Sequence, residues 1–389
     1  MTPLRLREAA AREAPAREAA AREAAANDLT IVVTTSPIPS MPSTALLQAL
    51  LKSLDCVREL AHCHIIIVCD GIGEVVGGVK PNWKCSRVNP EHVAAYAQYI
   101  ANVQELARRC GRPAEVLVLP KRHGCGLAVG AALERVASRF VMPVQHDQLF
   151  LRAFDLEGVL AAMIAHPTLH YVGIQSRTTL RYKERVADRF GIALEEKRMP
   201  QLTSPLLPLL MWYDKPHIAC VEHLRQRVYA GGVLRLGDFV EDVFGRAQME
   251  DIKQHGIGAH AKYGTWVLSD DDESPVTYHL SGRKVAVAQA PRGTDEEVQF
   301  DAPLGASSAQ LAEPEAAMWT ANCMPIHAAV PGLASAVAPT AFLDADTLAM
   351  KRSGKFKGTC YRCQAKGHSF RFCPLNEGLD MESRVVRLC

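Results

Sequence analysis

From residue 29 onward, short β-branched runs alternate with longer stretches of helical periodicity, and that alternation constrains the fold more than any other feature of the chain. Residues 30–35 (Thr-Ile-Val-Val-Thr-Thr) and 64–69 (His-Ile-Ile-Ile-Val-Cys) read as strands that end in turn chemistry. Residues 44–60 and 91–109 carry apolar side chains at helical spacing. Further strands are predicted at 115–119 and 140–144, with a helix near 127–138 between them and another expected to begin near Phe150. Strand, helix and strand repeated in this way predict an α/β fold, a mostly parallel twisted sheet with helices on both faces. Ligands in such sheets bind beyond the carboxyl ends of the strands, so the residues directly after each strand are the candidates for chemistry.

Composition narrows the class. At 389 residues and 48% hydrophobic, the chain has enough apolar surface for one large core or two moderate ones. A formal net charge of +2 excludes a general polycation. Charge is unevenly placed, however. Residues 301–350 hold no Lys or Arg, whereas 351–373 hold Lys351, Arg352, Lys355, Lys357, Arg362, Lys366 and Arg371 without an acid, a local block that a phosphate backbone would feel. Cys56, Cys63, Cys69, Cys85, Cys110, Cys125, Cys220 and Cys323 are scattered, mostly in apolar stretches, and read as reduced core thiols. With no apolar leader near Met1 and no apolar run long enough to span a bilayer, the expected location is cytoplasmic or nuclear. Neither Gly-x-Gly-x-x-Gly nor Gly-x4-Gly-Lys-Ser/Thr occurs, and no Cys sits in a nucleophile turn, so dinucleotide, P-loop and thiol-enzyme classes lose support.

Five segments are expected. Residues 1–27 form an Ala/Arg/Glu repeat, in which Glu8/Arg12, Glu13/Arg17 and Glu18/Arg22 are acid-first i,i+4 pairs worth roughly 0.2–0.5 kcal/mol each. Pro15 interrupts this solvated, partly helical spacer. The α/β domain covers 28–295, an Ala/Pro-rich linker 296–350, a small metal module 351–376 and a tail 377–389.

The metal module rests on Cys360, Cys363, His368 and Cys373, a C-x2-C-x4-H-x4-C array. Three thiolates and one imidazole suit a closed tetrahedral Zn2+ site with Zn–S bonds of about 2.3 Å, and so short a segment must draw most of its folding free energy from the metal. The array resembles the CCHC zinc knuckle, a single-stranded RNA- or DNA-binding module, with Gln364 where knuckles usually carry Gly. The resemblance implies that Tyr361 and Phe370 stack on bases, at about 1–3 kcal/mol per base, while Arg362, Lys366 and Arg371 meet phosphates. Packing of both rings on the zinc core is the structural alternative.

The strand ends of the large domain carry Thr34-Thr35-Ser36, Asp70-Gly71-Ile72-Gly73, Arg122-His123-Gly124-Cys125-Gly126 and Gln145-His146-Asp147, followed later by Gly237-Asp238 and Glu241-Asp242. In this order the segments resemble a family-2-like glycosyltransferase of the GT-A fold over about residues 28–285. The resemblance implies that Thr35 and Asp70 contact the base or ribose of a nucleotide sugar and that Arg122 lies near its diphosphate. It further implies that Asp147 binds Mn2+ or Mg2+ and that Asp242, or secondarily Glu241, is the general base. A hard divalent ion neutralises the departing diphosphate, and a positioned base, typically worth roughly 10²–10⁴-fold, activates the acceptor hydroxyl. Gln145 stands where the metal motif has its first acid. That departure supports the competing class, a non-catalytic RNA- or DNA-binding protein with a degenerate glycosyltransferase fold.

Each candidate also has a structural alternative. Asp70 before Gly71 suits a turn, Asp147 suits a helix cap, and Glu241 with Asp242 suits a solvated helix start. His123, His217 and His279 lack partners at metal spacing and read as structural.

Overall fold

The computed structural model describes residues 27–270 and 274–280. The repeat before residue 27, the linker and the tail lie outside them. So do Cys360, Cys363, His368, Cys373 and the associated Tyr361, Arg362, Lys366, Phe370 and Arg371.

The expected strands form: β1 (Leu29–Thr35) and β2 (His64–Cys69) from the β-branched runs, then β5 (Ala114–Val118) and β6 (Phe140–Gln145). Helices α1 (Ala45–Ser53), α2 (Pro90–Arg109) and α3 (Cys125–Leu133) make the crossovers between them. Helix α2 begins on a capping box in which the Asn89 and His92 side chains satisfy each other's backbone N–H, with Pro90 in the first turn. Helix α1 ends at Ser53, short of the expected residue 60, because Leu54–Cys56 and Arg58–His62 wind more tightly and Val57 between them is extended.

Between β2 and α2 lies a small ribbon of β3 (Glu74–Val75) and β4 (Arg87–Val88). The helix expected near Phe150 is replaced by strand β7 (Gln148–Phe150), which pairs antiparallel with β12 (Thr277–His279). Helix α4 (Leu156–Ala165) starts only after Asp155, whose carboxylate caps it by accepting the Gly158 N–H at 2.8 Å. The second half adds β8 (Tyr171–Gly173), α5 (Tyr182–Phe190), β9 (Leu206–Pro208), β10 (His217–Cys220), α6 (Arg246–His255) and β11 (Thr265–Leu268).

The main sheet has eight strands in the order β5-β2-β1-β6-β10-β8-β11-β9. All run parallel except β10 and β9. Strand alternation explains the two-sided core. Leu29, Ile31 and Val33 of β1 and Ile65, Ile67 and Cys69 of β2 share a cluster with Leu47 and Leu50 of α1, Tyr99 and Val103 of α2 and Val159 of α4. The intervening Val32, Ile66 and Val68 are equally buried, and α3 packs against β1 and β2. Both faces are thus covered, and the carboxyl edge of the parallel strands is left for polar chemistry. Among the described residues no helix is long and apolar enough to cross a membrane.

Candidate active site

Register brings the strand ends level. Thr35 lies opposite Cys69, and Thr34 opposite Gln145, so Asp70 and His146-Asp147 emerge side by side with the end of β1. Because β10 runs the other way, its beginning reaches the same edge and delivers Asp214 and Lys215 there.

Asp70 is buried, and its carboxylate accepts three backbone N–H groups: Gly71 at 2.9 Å and His123 at 2.6 Å on Oδ1, and Gly124 at 2.9 Å on Oδ2. The Tyr96 hydroxyl donates to its backbone carbonyl. The carboxylate therefore clasps the loop after β5 onto the end of β2. Thr35 is equally internal, its hydroxyl 2.7 Å from that of Tyr99. These two side chains, assigned to base or ribose by resemblance, are engaged within the protein, and the turn-forming alternative describes Asp70 well.

Glycine makes the loop packing possible. A Cβ on Gly71 would lie 2.3 Å from the backbone carbon of Lys121, and one on Gly124 2.5 Å from the Cα of Gly237. Gly124 and Gly237 both have φ near +80° (81° and 80°), a left-handed region that L side chains occupy at a cost. The Arg122 guanidinium rests directly on Gly237, with Nη2 2.3 Å from where a Cβ would sit. Arg122 thus stands half-buried where its own loop meets that of Gly237, beside the amino end of α3.

Asp147 meets a residue that sequence spacing did not link to it. Pairing of β7 with β12 brings His279 Nε2 to 3.3 Å from Asp147 Oδ2, and the Leu280 N–H donates to the Asp147 carbonyl at 2.8 Å. The helix-cap alternative for Asp147 is removed, since a strand follows it. A carboxylate oxygen and an imidazole nitrogen supply two donors, and a divalent ion held there would take its remaining ligands from substrate and water. Among the described residues no group of three or more His, Cys, Asp or Glu side chains is placed to hold a metal. His123 and His217 make bonds to nearby carbonyls of their own segments. His123 Nδ1 is 2.7 Å from the Lys121 carbonyl, and His217 Nδ1 is 2.6 Å from that of Lys215. Burial drives the His217 pKa down to about 4.

The proposed bases separate. Asp242 is exposed and pairs with Arg246 at 2.9 Å. Glu241 is half-buried and faces Asp214, which sequence reading passed over. Each of these two carboxylates accepts the other residue's backbone N–H, Glu241 N to Asp214 Oδ2 at 3.1 Å and Asp214 N to Glu241 Oε2 at 3.2 Å. Asp214 retains some accessible surface, yet packed protein crowds its carboxyl, and that burial together with the nearby Glu241 pushes its pKa up to about 7. Burial also raises that of Glu241. Asp214 borders a cavity of ≈ 20 Å³ with Thr34, Cys125, Gln145, Lys215 and Tyr229 in its lining, room for about one water-sized group. Burial pushes the Cys125 thiol up to about 12, so it stays protonated and is no nucleophile.

The sequence matches no family model and no curated protein. Many solved structures resemble it in part, three of them as follows. Staphylococcus aureus TarS has 15% identity and a TM-score of 0.37, over 65% of this chain and 36% of that one. The mannosyltransferase PcManGT from Pyrobaculum calidifontis, in complex with GDP-Man and Mn2+, has 15% identity and a TM-score of 0.34, over 63% and 55%. GalNAc-T7, with UDP, GalNAc and Mn2+, has 10% identity and a TM-score of 0.38, over 66% and 44%. The likeness spans less than two thirds of each of these proteins, and values so low leave the chemistry to be argued from this chain's own residues.

Proposed function

We propose that the α/β domain is a GT-A-like glycosyltransferase domain that binds a nucleoside diphosphate sugar along the carboxyl edge of its sheet and transfers the sugar to an acceptor hydroxyl. The observation that carries this reading is the convergence on one edge of a cation, a metal-competent pair and a protonatable acid. Arg122, beside the amino end of α3, suits the diphosphate, because a guanidinium and the positive end of a helix dipole both favour anions. Asp147 with His279 suits Mn2+ or Mg2+, which would neutralise charge on the departing diphosphate. By resemblance, proton removal is served from the Glu241–Asp242 segment. Of its two carboxylates Glu241 belongs to the site, since it is shielded and bonded to Asp214 while Asp242 is held by Arg246 at the surface. Calorimetry of the full-length protein against a panel of UDP-, GDP- and CMP-sugars with Mn2+ tests the reading. Binding of one donor, weakened at least tenfold by Asp147→Asn, is the expected result. No binding of any donor would leave the non-catalytic alternative in its place.

The ligand spacing at the carboxy terminus favours a second, independent activity. Cys360, Cys363, His368 and Cys373 would hold Zn2+, with Tyr361 and Phe370 as stacking surfaces for single-stranded RNA or DNA. Full-length protein purified under reducing conditions should carry stoichiometric zinc and lose it on Cys363→Ser. Protein that refuses zinc would end this reading.

A further inference from the structure

The reciprocal bonds between Asp214 and Glu241 do more than tie two loops together. With each carboxylate accepting the other's backbone N–H, at 3.1 and 3.2 Å, neither side chain can turn away without orphaning an amide. The second oxygen of Asp214 accepts the Trp212 indole N–H at 3.3 Å, and the Gln145 side-chain amide donates to the Asp214 carbonyl at 3.1 Å. Asp214 is thereby fixed across the junction of β6 and β10, at the wall of the cavity. The lining of that cavity includes Asp214 but neither Glu241 nor Asp242.

We infer that Asp214 and Glu241 are one proton-holding unit of the candidate active site, Asp214 facing the incoming hydroxyl and Glu241 acting as its positioning residue, with Asp242 outside the unit. The role in transfer rests on the glycosyltransferase reading; the shared titration does not. In the transfer the acceptor oxygen bonds to the anomeric carbon, and the bond from that carbon to the diphosphate breaks with its electron pair leaving on the diphosphate. The hydroxyl proton passes to the ionised Asp214 carboxylate, which later returns it to water.

The surroundings suit such a unit. A carboxylate held near a second one ionises less readily, so the Glu241 charge bears on the Asp214 proton. Burial and the neighbouring Glu241 raise the Asp214 carboxyl to about 7, and Asp242 adds to the effect. Lys215 and Arg246 act in the opposite sense on Glu241. Cys125, Tyr171 and Tyr229 also face Asp214 and are themselves driven up by burial, so they remain neutral while the pair titrates.

The indole bond supplies a readout independent of turnover. Tryptophan emission of the full-length protein, followed from about pH 5 to pH 9, should show a transition near the Asp214 value of about 7. Trp212→Phe should remove the transition, which separates it from any contribution of Trp83, Trp266 or Trp319. Asp214→Asn should abolish it. Glu241→Gln should move it to lower pH by removing the like charge, and Asp242→Asn should move it less. A transition that survives Asp214→Asn, or a midpoint unmoved by Glu241→Gln, overturns the inference; the Glu241→Gln shift decides alone if Asp214→Asn does not fold. Donor binding measured on the same variants separates the two claims. Wild-type protein that titrates as described but binds no nucleotide sugar refutes the transferase reading and leaves the pair standing. Asp214→Asn that binds donor but transfers sugar as fast as wild type refutes the role in proton transfer.

Discussion

Replacing Asp70 by alanine tests the central structural claim, that one carboxylate holds the strand-end loops in place. The substitution orphans the N–H groups of Gly71, His123 and Gly124, now bonded at 2.9, 2.6 and 2.9 Å. Hydrogen bonds to a charged acceptor contribute about 1.5–3 kcal/mol each, and a donor left buried without a partner costs a similar amount. His123 and Gly124 are only half-buried, so water recovers part of the loss once the loop relaxes. A total of about 3–5 kcal/mol follows, a large fraction of the roughly 5–15 kcal/mol that stabilises an ordinary domain. Asp70→Asn keeps one oxygen for two of the donors and turns an amide toward the third, so it should cost about 1–3 kcal/mol. Urea denaturation of the full-length protein gives the totals, and hydrogen exchange at the His123 and Gly124 amides locates the damage. A loss below about 1 kcal/mol for Asp70→Ala, too small for even a single charge-assisted bond, would refute the clasp, as would unchanged exchange protection.

Other predictions follow from glycine geometry and from buried titratable groups. Gly237→Ala places a Cβ against the Arg122 guanidinium at φ +80°, so it should cost about 1–2 kcal/mol and weaken any anion bound by Arg122, read by urea denaturation and calorimetry. Gly264→Ala would bring its Cβ to 2.2 Å from the Thr168 carbonyl at φ +59°, and a drop in thermal midpoint larger than that of Gly237→Ala is expected. Burial lowers the His217 and His223 pKa values to about 4 and about 3, below an unfolded value of about 6.5. The unfolded chain therefore binds more protons across that interval, and stability should fall as pH drops below about 6.5, by on the order of 5 kcal/mol near pH 4, measured by denaturation at stepped pH. Asp214 has the opposite sign. Its carboxyl, raised to about 7, contributes stability in full below its unfolded value of 3.8 and loses it as pH rises through 7, so Asp214→Asn should flatten the decline between those limits.

Strands β1, β2, β5 and β6 were legible because each is a largely apolar run bounded by turn residues, and the helices between them carry clear periodicity. Strands β8 to β11 were not, since they are three or four residues long and owe their conformation to neighbours in the sheet. The same reason explains Phe150. Its extended backbone is set by pairing with Thr277, far along the chain, which no local pattern reveals. Site residues directly after a strand, such as Asp70 and Asp147, could be found by position alone. Asp214 and His279 reach the edge by other routes, one just ahead of a reversed strand and the other on a distant ribbon, so neither carried a positional signal. Asp242 and Glu241 were adjacent in sequence but differ in surroundings, and only packing against Asp214 distinguishes them.

Strand β10 meets β6 through just two residue pairs, Ala219 with Val141 and Cys220 with Phe140, whereas β1 meets β2 and β6 through six each. The middle of the sheet is thus its thinnest joint. Gln145 and Asp214 sit on opposite banks of that joint and are tied across it by a single amide contact. With so little strand ladder between the banks, the side-chain ties of Asp214, more than backbone pairing, set how the two halves of the sheet meet at the cavity.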